Sequence, residues 1–219
     1  MKMELKLSAL VLFSVIVITA CGGGGASPVT ANPASITVAP SGKFAYTANW
    51  GSNNISVYAI DATTGALTAK TAVAAGTNPV SIAVDPSGKF AYAANWGSNN
   101  ISVYTIAADG ALTPAGTAVA AGKNPNSIAI AVNLSGKFAY AANWTSNDIS
   151  VYTITATGPL AGALTTGTAV VAGTNPASVA VAPSTVTPLL GEFVYAANET
   201  DSTISVYKID TTTGALQRQ

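Results

Sequence analysis

The 219-residue sequence has no histidine and a single cysteine, and only 8% of its residues are charged. Without histidine the chain lacks the usual general base of a nucleophilic triad and the commonest metal-binding side chain. The lone thiol, Cys21, cannot close an intramolecular disulfide and leaves no CxxC pair for redox or zinc chemistry. Charge of one sign is absent too: nine Lys and Arg offset nine Asp and Glu. No basic cluster with interleaved aromatics occurs, so nucleic acid is not an expected partner. No G-x-S-x-G elbow, P-loop or G-x-G-x-x-G can be read in the body of the chain. Nor is there a sustained 3.6-residue apolar period, which excludes a helical solenoid. What is abundant is apolar side chain, 49% of residues, enough for a large core and unlike a disordered chain.

At the N-terminus, Lys2 and Lys6 flank the start of an apolar run from Leu7 to Ala20 that is too short to span a bilayer comfortably. This predicts a signal peptide. It ends in Ile18-Thr19-Ala20-Cys21, which resembles the lipobox of bacterial lipoproteins, where the cysteine is lipidated and becomes the new N-terminus. Gly22 to Gly25 follow as a flexible tether. The expectation is therefore a leader over 1–21, a Gly-rich tether over 22–28 and a folded body over 29–219. Such a protein would be exported and lipid-anchored in the cell envelope, with the membrane as a partner through its anchor.

The body repeats. SGKFAY occurs at Ser41, Ser87 and Ser135, and a divergent GEFVY begins at Gly191; Tyr46, Tyr92, Tyr140 and Tyr195 are 46, 48 and 55 residues apart. In the unit Asn78–Gly122, segments rich in β-branched, aromatic and small residues lie at Ser81–Val84, Lys89–Ala94, Ile101–Ile106 and near Thr117–Ala120. Turn residues divide them: Asp85-Pro86-Ser87-Gly88, Asn95 to Asn100, and Asp109-Gly110. Four antiparallel strands in about 45 residues, repeated, predict an all-β protein of β-propeller blades. The four blades run over about 33–76, 79–122, 125–173 and 176–219. Small residues such as Ser81, Ala83, Ala91 and Ala93 beside Ile82 and Tyr92 suit sheets packed closely on both faces.

YAANWGSNNISVY and its copies YTANWGSNNISVY, YAANWTSNDISVY and YAANETDSTISVY resemble the Tyr-Val-Thr-Asn repeat of bacterial and archaeal propellers. That family merges with lactonase-type propellers, phosphogluconolactonase among them. The resemblance implies the fold over Asn32 to Leu216; for activity it allows a lactone hydrolase as well as a non-enzymatic envelope protein. Related propellers commonly have seven blades, and four units are present here. The final unit stops near Leu216, where its outer strand should begin, and Ser27 to Pro33 could supply that strand to close a four-bladed ring. The Ala- and Ser-rich sheets favour the alternative, an open arc or partial propeller whose exposed blade faces could self-associate.

Loops after the second and fourth strands share one face of the disc. There the candidate ligand-binding residues are Asn49, Trp50, Asn95, Trp96, Asn143, Trp144 and Asn198, a platform for a glycan, peptide or protein partner. The same residues also suit a purely architectural role, Asn in the turns and Trp between blades. Asp148, Glu199 and Asp201 depart from the repeat and form a candidate acidic site, for calcium through oxygen ligands or for activating water; solvated turn carboxylates would look the same. No catalytic residue is assigned, and no cofactor other than calcium is suggested. Two functions remain open: a binding scaffold of the cell envelope, and a lactonase-like hydrolase.

Overall fold

The structure, a computed structural model, describes residues 31–131, 137–158, 161–182 and 192–219. The expected leader, the lipidated Cys21 and the tether lie outside the described residues, as does most of the N-terminal segment suggested to close the ring. Among the described residues every regular element is a strand, and no helix is long and apolar enough to cross a membrane.

The strands form four separate antiparallel sheets, one per repeat. Blade 1 comprises β1 (Pro33–Val38), β2 (Phe44–Asn49), β3 (Asn54–Ile60), β4 (Leu67–Ala69) and β5 (Val73–Ala74). Blade 2 comprises β6 (Pro79–Val84), β7 (Phe90–Asn95), β8 (Asn100–Ile106), β9 (Leu112–Pro114) and β10 (Val119–Ala120). Blade 3 comprises β11 (Pro125–Ala131), β12 (Phe138–Asn143), β13 (Asp148–Ile154), β14 (Leu164–Thr166) and β15 (Val170–Val171). Blade 4 comprises β16 (Pro176–Ala182), β17 (Phe193–Asn198), β18 (Thr203–Ile209) and β19 (Leu216–Arg218).

The outer strand differs from expectation. It is split into two short pieces, both paired to the third strand: β9 pairs with Tyr104–Ile106 and β10 with Asn100–Ile101. The expected segment near Thr117–Ala120 catches only the second piece. The break falls over Ala115 to Ala118, which includes Gly116 at φ 78°. In blade 4 the first of these pieces is present as β19, which pairs Leu216 with Ile209, so the outer strand expected to be absent is there in part. Each inner strand begins with a proline followed by a register shift, as at Pro79/Ser81. Proline has no N–H for the ladder, so an irregular first rung suits it.

The core lies between blades. Three apolar clusters fill three interfaces. Tyr46, Ala48, Ile55 and Val57 of blade 1 meet Ile82, Ala91, Ala93, Tyr104 and Leu112 of blade 2. Blades 2 and 3 repeat the arrangement with Tyr92, Ile101 and Val103 against Ile128, Ala139, Tyr152 and Leu164. Blades 3 and 4 do so with Tyr140, Ile149 and Val151 against Val179, Val194, Tyr207 and Leu216. Strand alternation explains this, since successive side chains point to opposite faces and both faces here are apolar. The inner strands pack in series, β1 on β6, β6 on β11 and β11 on β16, with no comparable packing of β16 on β1. The described blades form an open arc.

Two sets of tyrosine hydroxyls stitch the interfaces. Tyr46, Tyr92 and Tyr140 donate forward to the carbonyls of Gly110, Gly162 and Gly214 in the next blade, each at 3.0 Å. Tyr104, Tyr152 and Tyr207 donate backward to Ala74, Ala120 and Val171 at 2.9, 3.0 and 2.8 Å. The receiving glycines also have to be glycines. At positive φ, a Cβ on Gly162 would lie 2.1 Å from the Phe90 ring of the preceding blade.

Tyr92→Phe leaves the buried Gly162 carbonyl unpaired and should lower unfolding free energy by about 1–3 kcal/mol in urea titrations. Burial, reinforced by Asp109 for Tyr46 and by Asp148 for Tyr152, pushes these phenols from 10.0 up to about 12. The unfolded chain releases their protons near 10.0 while the folded chain keeps them, so the unfolded state binds fewer protons between those values. Stability should therefore hold up to about pH 10 and fall between about pH 10 and 12; a urea midpoint unchanged at about pH 11 contradicts this.

Candidate functional site

The second and third strands of each blade are joined by the Asn-Trp loops, and the Asn-Pro linkers between blades lie against them. The backbone N–H groups of Trp50, Trp96 and Trp144 donate to the backbone carbonyls of Asn32, Asn78 and Asn124 at 2.9–3.0 Å, and the backbone N–H of Glu199 donates to the carbonyl of Asn175 at 3.0 Å. These loops and linkers share one face, as expected from strand alternation.

The four loop asparagines do not point to solvent. Asn49, Asn95, Asn143 and Asn198 are buried, at 0–2% exposure. Asn95 Nδ2 donates to Asn100 Oδ1 at 2.8 Å and Ser102 Oγ at 2.9 Å, while its Oδ1 accepts the Gly76 N–H at 3.2 Å. Asn49 binds Asn54 and Ser56 in the same way, Asn143 binds Asp148 and Ser150, and Asn198 binds Thr203 and Ser205. Each amide closes the mouth of its own hairpin, and little of it is left for a ligand. Asn143 is less complete: its Oδ1 is buried without a described partner because Gly122 N–H goes to Ser150 Oγ instead, at 3.1 Å.

A second asparagine set links blades. Asn78, in the left-handed region at φ 51°, donates from Nδ2 to Trp50 O at 3.0 Å and from its backbone N–H to Asn53 Oδ1 at 2.7 Å. Asn124 and Asn175 repeat this clamp on the Trp96 and Trp144 loops. These residues are assigned no role from the sequence. Their recurrence in every Asn-Pro linker was the available signal.

The indoles differ from the amides. Trp50, Trp96 and Trp144 are half-buried, and they run from blade to blade with ring centroids 6.0 and 6.1 Å apart, tilted by 51°. Tilted pairs at this spacing are favourable beyond area burial. The row caps the blade junctions and still presents aromatic surface. In blade 4 its fourth position is Glu199, whose side chain is exposed.

The other two candidate carboxylates serve loop geometry. Asp148 Oδ1 accepts from Asn143 at 2.6 Å and Ser146 Oγ at 3.1 Å, taking the place of Asn54 and Asn100. Asp201 Oδ2 accepts the Thr174 N–H at 2.5 Å, the task Ser98 performs for Thr77. Hydrogen bonds from Thr174 hold the Asp201 carboxyl below its ordinary value, with Arg218 adding to the effect. Among the described residues no group of three His, Cys, Asp or Glu could hold a metal ion, so the three carboxylates do not assemble as a calcium cage. A cleft of about 190 Å³ between blades 1 and 2 is lined by small residues, with Ser102 and Tyr104 as its polar side chains and no carboxylate.

Asn95→Ala removes three hydrogen bonds of a buried loop and should cost about 2–3 kcal/mol, read as a lower urea midpoint. A midpoint within error of the parent would show that the amide does not hold the hairpin.

Comparison with known proteins gives the same fold. A candidate 6-phosphogluconolactonase from Bacteroides uniformis superposes with a TM-score of 0.72 at 22% identity, covering 85% of this chain and 53% of that one. A candidate 6-phosphogluconolactonase from Bacteroides fragilis gives 0.71 at 23% identity, covering 90% and 56%. The periplasmic gluconolactonase of Pseudomonas aeruginosa gives 0.66 at 18%, covering 85% and 53%. The chain thus spans a little over half the length of these structures. No curated protein sequence matches it. The family described as Lactonase, 7-bladed beta-propeller matches over residues 13–129 and 121–219, and the chain, with four blades of that architecture, belongs to the seven-bladed β-propeller lactonase family.

Proposed function

We propose that this chain serves a sugar-lactone hydrolase, with the row Trp50, Trp96, Trp144 and Glu199 as the substrate face. Membership of the lactonase family carries the reading, and the indole row is the feature of the blades best suited to such a ligand. A lactone of a sugar acid offers a ring face that stacks on indole and hydroxyls that hydrogen-bond around it. Glu199, in the blade position next to Trp144, is exposed to water. Its carboxylate would take a proton from water as the oxygen adds to the lactone carbonyl. The ring C–O bond then breaks, and the departing oxygen takes the proton to give the hydroxy acid.

Among the described residues the loops of this face carry one cation, Lys123, and Arg218 of β19 acts on Asp201 beside them; so few cations suit an unphosphorylated lactone better than a phosphorylated one. Attachment at the envelope through Cys21 belongs to the same proposal and would place the site where exported or extracellular sugar acids are met. The indole row also supports a second reading, in which the face binds glycans without turnover. Hydrolysis of gluconolactone and 6-phosphogluconolactone, followed by acid release and corrected for the spontaneous rate, separates the two. The expected result is turnover of the unphosphorylated lactone, reduced at least tenfold by Glu199→Gln and with KM raised by Trp96→Ala. Absence of turnover together with glycan retention on an array favours the binding scaffold.

A further inference from the structure

The loop face repeats from blade to blade except at one acceptor. Each clamp asparagine sends its Nδ2 to the carbonyl of the preceding tryptophan: Asn78 to Trp50, Asn124 to Trp96 and Asn175 to Trp144, each at 3.0 Å. In blades 3 and 4 the amide oxygen is taken as well. Thr145 Oγ1 donates to Asn124 Oδ1 and Thr200 Oγ1 to Asn175 Oδ1, both at 2.6 Å, and both threonines are exposed. The corresponding residue in blade 2 is Gly97, whose N–H donates to Thr77 O at 2.9 Å as Thr145 N–H donates to Lys123 O at 3.1 Å. With no hydroxyl there, Asn78 Oδ1 receives no hydrogen bond among the described residues. A Cβ on Gly97 would lie 2.7 Å from that oxygen, so the glycine leaves the approach to it open. Gly97 is exposed and Asn78 half-buried, and Trp50 and Trp96 belong to the two loops that Asn78 joins.

We propose that Asn78 Oδ1 is the hydroxyl-recognition point of the indole face, accepting a hydrogen bond from a hydroxyl of a sugar ring held against Trp50 and Trp96. This rests on the reading of the row as a sugar-binding face and adds the residue pair, Asn78 and Gly97, that selects for hydroxyls. The chain shows the chemistry twice, since an alcohol already occupies the same acceptor in blades 3 and 4. In blade 2 the place of that alcohol is open to an incoming one. A sugar supplies a hydroxyl of the kind threonine presents, next to an apolar ring face that indole accepts. A ligand without hydroxyls covers the amide oxygen and leaves it unpaired, which is how a polar site rejects the unhydroxylated analogue. Selection therefore sits between the first two indoles, and not between Trp96 and Trp144, where Thr145 closes the acceptor.

The three tryptophans of the sequence all lie in the row, so intrinsic fluorescence reports on this face alone. The full chain is titrated with methyl β-glucopyranoside, a stable pyranose, and with tetrahydropyran, the same ring without hydroxyls. The glucoside should change the emission saturably and bind more tightly than tetrahydropyran. Gly97→Thr should weaken the glucoside about fivefold, the worth of one hydrogen bond, and leave tetrahydropyran unaffected. The variant should keep the parent urea midpoint, because Thr77, Asn78 and a threonine at 97 reproduce the set Thr174, Asn175 and Thr200 of blade 4. Thr145→Gly, which opens Asn124 Oδ1 in the same way, should tighten the glucoside. No emission change with the glucoside, an equal loss for both ligands, or glucoside affinity unaltered by Gly97→Thr overturns the proposal; should that variant not fold, unaltered affinity in Thr145→Gly does so. Saturable glucoside binding that ignores Gly97→Thr sinks Asn78 and leaves the indole face standing. A response to Gly97→Thr without lactone turnover supports Asn78 and sinks the hydrolase.

Discussion

A small antiparallel sheet whose side chains are apolar on both sides can hide neither of them alone; each side needs a neighbouring sheet. Every blade here is of this kind. Val194, Ala196 and Tyr207 of blade 4 are buried against blade 3, while Tyr195, Ala197 and Ile204, one residue out of phase on the same strands, face solvent. The core is therefore not a property of any blade. It exists between blades, as three separate clusters for four sheets. Burying one large side chain is worth about 1.5–3 kcal/mol, and each interface buries several. The hydroxyl bonds from Tyr92 to Gly162 and from Tyr104 to Ala74 add direction to that attraction, fixing the distance and tilt at which neighbouring sheets meet.

The same economy shapes the loop face. Buried amides hold each hairpin shut, and linker asparagines hold each hairpin to the next blade, so backbone and polar side chains there are largely committed to architecture. The half-buried indoles are the aromatic surface that this face still presents. Their spacing is fixed by blade packing, which gives a rigid aromatic ridge rather than a set of mobile side chains. Such a ridge loses little conformational entropy when it meets a flat ligand. Blade 4 ends it with a carboxylate where the other three place indole, so the chemistry of the face changes where the repeat is broken.

Much of the fold was legible because the repeat is nearly literal. SGKFAY and NWGSNNISVY fix the second and third strands within a residue or two, and strand alternation follows from them. The split outer strand was not legible. Leu112–Pro114 and Val119–Ala120 are too short and too polar in context to announce themselves, and only pairing with a long neighbour makes them strands. The site was legible in part. Sequence put the loop asparagines, tryptophans and acidic residues on one face, and the structure agrees. It could not tell the buried amide of Asn95 from the accessible ring of Trp96 beside it, because adjacent residues at the end of a strand turn to opposite environments. Nor could it tell that Asp148 and Asp201 stand in for Asn and Ser as turn acceptors, since a carboxylate that caps a backbone and one that binds an ion are the same letter.

Because every internal junction uses the same left and right surfaces, blades are interchangeable in a way that ordinary domain segments are not. Deleting the whole unit from Asn78 to Gly122 would bring the Tyr46 side of one sheet against the Ile128 side of another, a match equivalent to the junctions it replaces. Duplication would do the same. A gene encoding such a chain can thus lengthen or shorten by whole modules without passing through an intermediate whose internal joints are mismatched, so that copy number is more easily altered than any single buried side chain.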